Sequence, residues 1–309
     1  MTSPADPTTK VLAEAQVVGA EQLPDETPSV SRGRMIMRRF RRKRLAMIGL
    51  VTLVALFLLA FLGPYIAPYD YTSKDFDAFL QPPTGDHWFG TSQTGGDLFA
   101  QTLRGMQKSL IIGLLAAVIA TGLAALVGAT AGYFGGWADR ALMWGLDLLL
   151  VLPAFLILAL ISPSLRGKSW IFFVFLLALF QWMITGRIVR GMTLSLKERE
   201  YVQAARFMGV GPYKIIFRHI LPNMASLLII DATINVALVI IAEAGLSFFG
   251  FGVQPPDISL GTLIAEGSAS FLTTYWLFLF PSIMLVAIVL SVNLIGDGLR
   301  DALDPHAAK

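Results

Sequence analysis

Hydrophobic residues along this chain gather into long uninterrupted runs instead of recurring at a helical or strand period. Each run is about 17 to 23 residues, enough to cross a hydrocarbon core of roughly 30 Å as a helix. The runs lack the alternation of a membrane β-barrel, so they predict an all-α polytopic membrane protein with six transmembrane helices. The predicted spans cover residues 45–63, 110–132, 142–161, 170–186, 226–244 and 275–295.

The distribution of basic residues predicts the orientation. Only 15% of the 309 residues are charged, against about 25% in a soluble domain. With the amino terminus placed in the cytoplasm, eighteen of the Lys and Arg residues from the basic arm onward fall in inside segments and five fall outside. Positive charge concentrates on the cytoplasmic side of membrane proteins, so both termini are predicted to be cytoplasmic.

The same pattern divides the chain into segments. Four prolines and few apolar groups in the first segment are typical of a disordered tail. The predicted segments are a cytoplasmic tail (1–31), a basic juxtamembrane arm (32–44), a first membrane helix (45–67), an extracytoplasmic loop (68–108), a five-helix core (109–295) and a cytoplasmic C-terminal tail (296–309).

The basic arm has two interpretations, nucleic-acid binding or a membrane role. Its eight basic residues lie directly before the first span, so orientation of the chain and attraction to anionic lipid explain them without nucleic acid. Small residues mark the second span. Gly128 and Gly132 form a small-xxx-small step there, which predicts close packing against another helix.

The segment at 187–223, between the fourth and fifth spans, predicts two short amphipathic helices joined by a glycine-rich break. In the first helix an apolar stripe recurs at i, i+3, i+4 and i+7: Tyr201, Ala204, Ala205 and Met208. Glycine permits left-handed backbone and proline suits a first helical turn, so residues 209–212 (Gly-Val-Gly-Pro) break the helix. The second helix is predicted to end at Pro222. Its apolar residues lie on one face: Tyr213, Ile216, Phe217, Ile220 and Leu221.

These two helices either lie on the membrane surface or receive a partner protein. The small Ala204-Ala205 pair beside a glycine break suits close docking of another helix, so the pattern modestly favours a partner.

Polar residues within the spans are costly and therefore candidates for function. Asp231 and Asn235 are four residues apart and share a helix face. They either line a translocation path or form hydrogen bonds between helices, and the sequence favours neither. Glu243 stands just before the segment 246–252, where it is interpreted as part of an outer gate or its support.

Catalytic and metal chemistry has little support. The chain has no cysteine, and its three histidines lie far apart, so no catalytic or metal-binding residues are predicted. Residues 166–169 (Arg-Gly-Lys-Ser) resemble the end of a phosphate-binding loop, but Ser162 stands where that loop requires glycine. The chain is therefore predicted not to be an enzyme, and any ATP hydrolysis must occur in a partner.

One motif resembles a known family. Glu200-Tyr-Val-Gln-Ala204-Ala205, with Gly209 four positions later and Ile220-Leu221-Pro222 beyond, resembles the EAA loop of inner-membrane subunits of binding-protein-dependent ABC importers. Residues 87–91, 132–136, 246–252 and 254–256 are similar to the peptide and nickel branch, and residues 293–305 to its C-type oligopeptide and dipeptide permeases. The chain departs from that branch at two places. Ser92 stands where the branch usually has Asp, and Gly-Gly-Asp at 95–97 stands where it usually has Gly-Arg-Asp. An ion pair that this segment makes in relatives is therefore not carried over to this chain.

The resemblance implies a multi-pass permease subunit of the bacterial plasma membrane, forming half of a translocation pathway. Its implied partners are a second related permease, two cytoplasmic ATPase subunits or domains that bind ATP and Mg, an extracytoplasmic peptide-binding protein and the lipid bilayer. Residues 187–223, hereafter the coupling loop, would dock on the ATPase. The residues implied in docking are Glu200, Ala204, Ala205, Gly209, Val210, Gly211, Ile216, Leu221 and Pro222.

The implied cargo is an oligopeptide or dipeptide, and nickel, haem or glutathione would fit the same scaffold. No cofactor is implied in this subunit. An ion-coupled secondary transporter is the alternative from a different class, but it leaves the coupling loop without a purpose, and the sequence shows no convincing internal repeat.

Overall fold

The computed structural model describes residues 32–165 and 169–303. The predicted tail at 1–31, the Arg-Gly-Lys part of the loop-like sequence (166–168) and the end of the C-terminal tail lie outside these residues. The chain divides into two units, residues 1–39 and 40–309. The helices are α1 Arg32–Arg42, α2 Arg44–Leu62, α3 Leu98–Phe134, α4 Gly136–Val151, α5 Ala154–Ile161, α6 Trp170–Gln181, α7 Met183–Leu196, α8 Glu200–Phe207, α9 Pro212–Ile215, α10 Ala225–Phe248, α11 Leu260–Ser268 and α12 Tyr275–Leu303.

Four continuous helical stretches are long and apolar enough to cross a membrane. They are Arg44–Tyr65, Leu98–Phe134, Pro212–Phe248 and Tyr275–Leu303. Two bent helix pairs raise the number to six if each pair is one span. The described residues therefore form a helical bundle with four to six candidate membrane spans, which agrees with the polytopic membrane protein that the hydrophobic runs predict.

The two bent pairs are α4 with α5 and α6 with α7. The first bends by 81°, and the second bends by 50°. At the first bend Leu152 is extended and Pro153 follows. Proline forces the residue before it out of helical geometry and provides no N–H of its own, so the helix is interrupted there.

The long helix α3 packs closely against α7, as the glycine step predicts. A Cβ atom on Gly128 would lie 2.4 Å from the carbonyl oxygen of Gly186, and one on Gly132 would lie 2.8 Å from that of Arg190. Only glycine allows the two backbones to approach this closely. Around this contact, one buried apolar cluster joins residues of α3, α4, α5, α6, α7 and α10.

Pro222 does not end its helix, and that prediction was wrong. The backbone widens into a π turn over Ile216–Ile220, tightens into a 3₁₀ turn over Leu221–Met224 and continues as α10. Proline removes one backbone donor, and local π and 3₁₀ adjustments satisfy the carbonyls that are left over. The coupling loop is thus joined without a break to the fifth span.

Helix bounds also differ at several ends. The last helix continues to Leu303, so residues 296–303 of the predicted tail are helical. Its final turns pack on the start of α2 and on the residues just before it: Gly298 lies against Ala46 and Phe40, and Lys43 forms an ion pair with Asp301 at 2.7 Å. The helix α3 begins at Leu98, within the predicted loop, because the Asp97 side chain accepts a hydrogen bond from a backbone N–H of its first turn.

Candidate functional site

The coupling loop is built on the ends of α7 and α3. The short helix α8 begins at Glu200, whose carboxylate stands in the first turn where the helix dipole favours negative charge. It ends before Gly209, which adopts a left-handed φ of +78°. Gly211 is extended and Pro212 opens α9. The glycine break predicted at 209–212 is confirmed.

One face of the coupling loop is buried against the bundle. Val202 and Ala205 from α8 and Ile215 and Ile216 from the second helix share an apolar cluster with Ala129 of α3. The cluster also includes Val189 of α7, Ile220 and, directly after the coupling loop, Met224. These contacts hold the coupling loop firmly on the two helices that carry the close glycine packing.

The outward side of the coupling loop exposes large apolar side chains among charged ones. Phe207 is 88% exposed and Met208 is 76% exposed. Tyr201, Tyr213 and Phe217 are also exposed. Contiguous apolar groups on a surface mark sites that another protein or the membrane covers.

The structure divides the nine predicted docking residues between these two faces. Ala205 and Ile216 are buried within the chain, and Val210 and Leu221 are partly buried. The exposed members are Glu200, Ala204, Gly209, Gly211 and Pro222. The predicted stripe of α8 is therefore split, because Ala205 faces inward while Tyr201, Ala204 and Met208 face outward.

Sequence reasoning missed three residues of the coupling loop. Val202 and Ile215 are buried anchors, and Phe207 is the most exposed of its aromatic residues. Phe207 could have been noticed as a large aromatic residue between Arg206 and the glycine break.

A cavity of about 880 Å³ lies beside the coupling loop. It is lined by Tyr133 and Phe134 at the end of α3, by Lys197 and Glu198, and by residues of α8 and α9. The Lys197 Nζ donates to the carbonyl oxygen of Gly132 at 3.2 Å. The end of α3 thus lines a recess that α8 covers on one side.

Asp231 lies at the centre of an interhelical hydrogen-bond network. Its Oδ1 accepts from the hydroxyl of Thr185 in α7 at 2.6 Å, and its Oδ2 accepts from the hydroxyl of Thr121 in α3 at 3.0 Å. The Asn235 side-chain amide donates to the same Oδ2 at 2.8 Å. The hydrogen-bonding interpretation therefore describes these contacts, and the pathway role stays a prediction.

Glu243 is fully buried near the other end of α10. Its carboxylate accepts hydrogen bonds from the hydroxyls of Ser109 in α3, at 2.9 Å, and Ser247, at 2.6 Å. The Ser247 hydroxyl in turn accepts from the backbone N–H of Val253 at 3.1 Å. These bonds fit the interpretation of Glu243 as a support, and its part in a gate stays a prediction.

The segment in which the sequence departs from the peptide branch contains a buried contact between a histidine and a carboxylate. The Nδ1 of buried His87 lies 2.9 Å from the Oδ2 of Asp97, and the ring of Tyr69 stacks on His87. Asp97 also caps α3 through its other oxygen. Ser92 accepts a hydrogen bond from the backbone N–H of Gly96, so the departing residues form a closed turn.

Comparisons with known proteins agree with the geometry. Residues 124–309 match the family described as binding-protein-dependent transport system inner membrane component, and residues 31–83 match the N-terminal TM domain of oligopeptide transport permease C. The chain is 57% identical over 280 residues to the oligopeptide transport system permease protein OppC of Mycobacterium tuberculosis, covering 90% of this chain and 96% of that protein.

Two more distant relatives cover similar lengths. The chain is 39% identical over 289 residues to a putative peptide permease protein of Brucella suis, covering 93% of this chain and 94% of that protein. It is 34% identical over 297 residues to the oligopeptide transport system permease protein OppC of Bacillus subtilis, covering 96% of each.

Proposed function

The chain belongs to the family of binding-protein-dependent transport system inner membrane components, and we propose that it is the permease subunit of an ATP-driven oligopeptide importer. Relatives from three bacterial genera are named as peptide or oligopeptide permeases, which supports peptides over nickel, haem or glutathione. The subunit resides in the bacterial plasma membrane, with both termini and the coupling loop on the cytoplasmic side.

One observation supports this function most directly: the coupling loop is anchored by a buried apolar face and exposes aromatic and methionine side chains on its outward side. Phe207 and Met208 expose large apolar side chains, which is unfavourable in a protein that has no partner at this surface. Apolar aromatic anchors are typical of the centre of protein interfaces. Their partner in this proposal is the cytoplasmic ATPase.

The complex requires other subunits for its energy and its cargo. ATP and Mg bind to two partner ATPase subunits or domains, and a second related permease forms the other half of the pathway. An extracytoplasmic binding protein delivers the peptide. This chain contributes the docking surface and the helices that move.

The helices themselves can carry the motion. The helix α3 contacts the coupling loop at one end, and the continuous stretch Pro212–Phe248 begins within that loop. Both reach the far side of the bundle. Each has 37 residues, or roughly 55 Å of helix. A displacement of the coupling loop by the ATPase therefore moves two complete helices as rigid bodies, which would alternate access between the two sides.

Two substitutions on the docking face test the proposal. Glu200→Lys reverses the charge of an exposed residue in α8, and Gly209→Asp adds a carboxylate at the exposed left-handed turn. Both should abolish ATP-driven peptide uptake in proteoliposomes while the protein still inserts in the membrane. Normal uptake and normal ATPase coupling in both variants would overturn the docking proposal, and wild-type uptake insensitive to vanadate would overturn the ATP-driven function.

The cargo is tested on the binding protein. Titration with a peptide library should give saturable binding of oligopeptides. Binding of nickel, haem or glutathione in place of peptides would move the assignment to one of those cargoes without changing the role of this subunit.

A further inference from the structure

Lys108 is a buried cation at the end of the bundle opposite to the coupling loop. It is 6% exposed, although it carries an ammonium group. Its Nζ lies 2.8 Å from the Oδ1 of Asp257 and 4.5 Å from the centre of the Trp170 ring. Arg104, one turn earlier in α3, approaches the same carboxylate oxygen at 4.0 Å. A buried ammonium is stable only when it is paired, so this position depends on Asp257.

The next residue of α3 makes the second attachment. The Ser109 hydroxyl donates to Glu243, and it also lies 3.4 Å from the backbone nitrogen of Leu260, which donates to it. Residues 249–259 form the loop that joins α10 to α11; Glu243 lies within the last two turns of α10, and Leu260 directly follows the loop. Asp257 lies within this loop. Two consecutive residues of α3 thus contact the loop at Asp257, the first residue after it and the helix that leads into it.

The same helix reaches the coupling loop at its other end. Lys108 and Tyr133 are separated by 25 residues of continuous α3, or roughly 38 Å. There the ring of Phe134 lies 5.8 Å from that of Tyr213, and Ala129 packs in the cluster that buries Ala205. A shift of α3 driven at the coupling loop therefore acts directly on the contacts of Lys108 and Ser109.

We propose that Lys108 is a positioning residue that latches loop 249–259 to α3, and that the Lys108–Asp257 ion pair opens and closes once in each transport cycle. This inference rests on the proposed transport function. The ion pair suits a reversible contact because Asp257 is partly accessible to water, so the charges are rehydrated when the pair separates. The fully buried Glu243 contacts form the fixed part of the same assembly.

Charge substitutions test the ion pair. Lys108→Met keeps the length of the side chain but leaves Asp257 without its closest cation, and Asp257→Asn removes the carboxylate. Each should lower ATP-driven uptake at least tenfold and weaken the dependence of ATP hydrolysis on peptide-loaded binding protein. Lys108→Arg should stay within about threefold of wild type, and the exchanged pair, Lys108→Asp with Asp257→Lys, should recover uptake above either single exchange. Exposed Lys74→Met is the matched control and should stay within twofold.

Normal uptake in Lys108→Met would overturn the proposal, and so would an exchanged pair no better than its single variants. Variants are compared at equal amounts in the membrane and equal copurification with the ATPase, which removes folding defects from the comparison.

Cysteine pairing separates a moving latch from a fixed support. The chain contains no cysteine, so a pair introduced at 108 and 257 can be joined by a short bifunctional thiol reagent without side reactions on this subunit. Because thiol substitution removes the ion pair, uptake is compared in the same variant before and after joining. Joining should stop the residual uptake, and a reducible linker should restore it on cleavage.

Unchanged uptake after joining would show a fixed contact and overturn the latch. Wild-type complex measured in the same vesicles reports on the transport function separately: if it fails to take up peptide with ATP, the proposed function fails, whatever the variants do.

Discussion

Gly128 of α3 faces Gly186 of α7 so closely that a Cβ atom on Gly128 would stand 2.4 Å from the carbonyl oxygen of Gly186. Real Cβ atoms do not approach backbone oxygens to this distance, so a side chain here must push the helices apart. The contact lies between the polar network of Asp231 and the buried face of the coupling loop.

Gly128→Ala should therefore destabilise the bundle by about 1–3 kcal/mol, the usual cost of overpacking. Gly122→Ala on the same helix is the matched control, because a Cβ atom there meets nothing within 4 Å. Thermal unfolding of the detergent-solubilised protein measures both. Equal midpoints for the two variants would contradict the close packing of α3 on α7.

Phe207 should be an anchor for the ATPase. Phe207→Ser removes the most exposed aromatic side chain of the coupling loop, and we expect at least a fivefold loss of ATPase in copurification because hot-spot truncations often cost more than 1 kcal/mol. Leu272→Ser is the control, since Leu272 is 95% exposed in the loop between α11 and α12. Full retention of the ATPase by Phe207→Ser would place the docking surface elsewhere.

Gly209 and Gly211 should respond differently to alanine. Neither Cβ atom would meet another group within 4 Å, but Gly209 has a φ of +78° and Gly211 a φ of −61°. Left-handed backbone costs a non-glycine residue roughly 1–2 kcal/mol. Gly209→Ala should reduce uptake several-fold and Gly211→Ala should leave it near wild type. A third variant, Gly209→Asn, should be intermediate, because asparagine tolerates left-handed backbone; equal uptake in all three would show that the backbone turn is dispensable.

Replacement of Asp231 distinguishes a packing role from a pathway role. Asp231→Leu leaves the hydroxyls of Thr121 and Thr185 without their acceptor, so the packing role predicts a loss of stability of about 1–3 kcal/mol. The pathway role predicts altered uptake kinetics. Replacement of both Asp231 and Asn235 with leucine, followed by stability and uptake measurements, tests both roles. Unchanged uptake kinetics would remove the pathway role.

Much of the architecture could be read from the hydrophobic runs. Leu152 and Pro153 show a limit of that approach, because the run at 142–161 predicts one continuous span while its backbone bends by 81°. Pro222 shows the opposite error, since the sequence suggested an end where π and 3₁₀ turns carry the helix onward. Both errors concern proline, whose effect depends on whether neighbouring groups satisfy the carbonyls that it leaves free.

The candidate site was found from sequence in part. The left-handed turn at Gly209 follows from residue type, because few other residues adopt it without cost. The placement of Ala204 and Ala205 on opposite faces does not follow from residue type, since both residues are small and apolar. Likewise, the contacts of Asp231 with Thr121 and Thr185 join residues 110 and 46 positions apart.

The sequence by itself determined the helical membrane character of the chain, the approximate place of its apolar helices, the glycine turn of the coupling loop and the small residues on α3, because each follows from local hydrophobicity or backbone freedom. Only the tertiary structure decided which apolar face is buried and which polar groups meet. In a membrane protein the surface that meets lipid is as apolar as the surface that meets another helix, so hydrophobicity along the chain cannot distinguish the two.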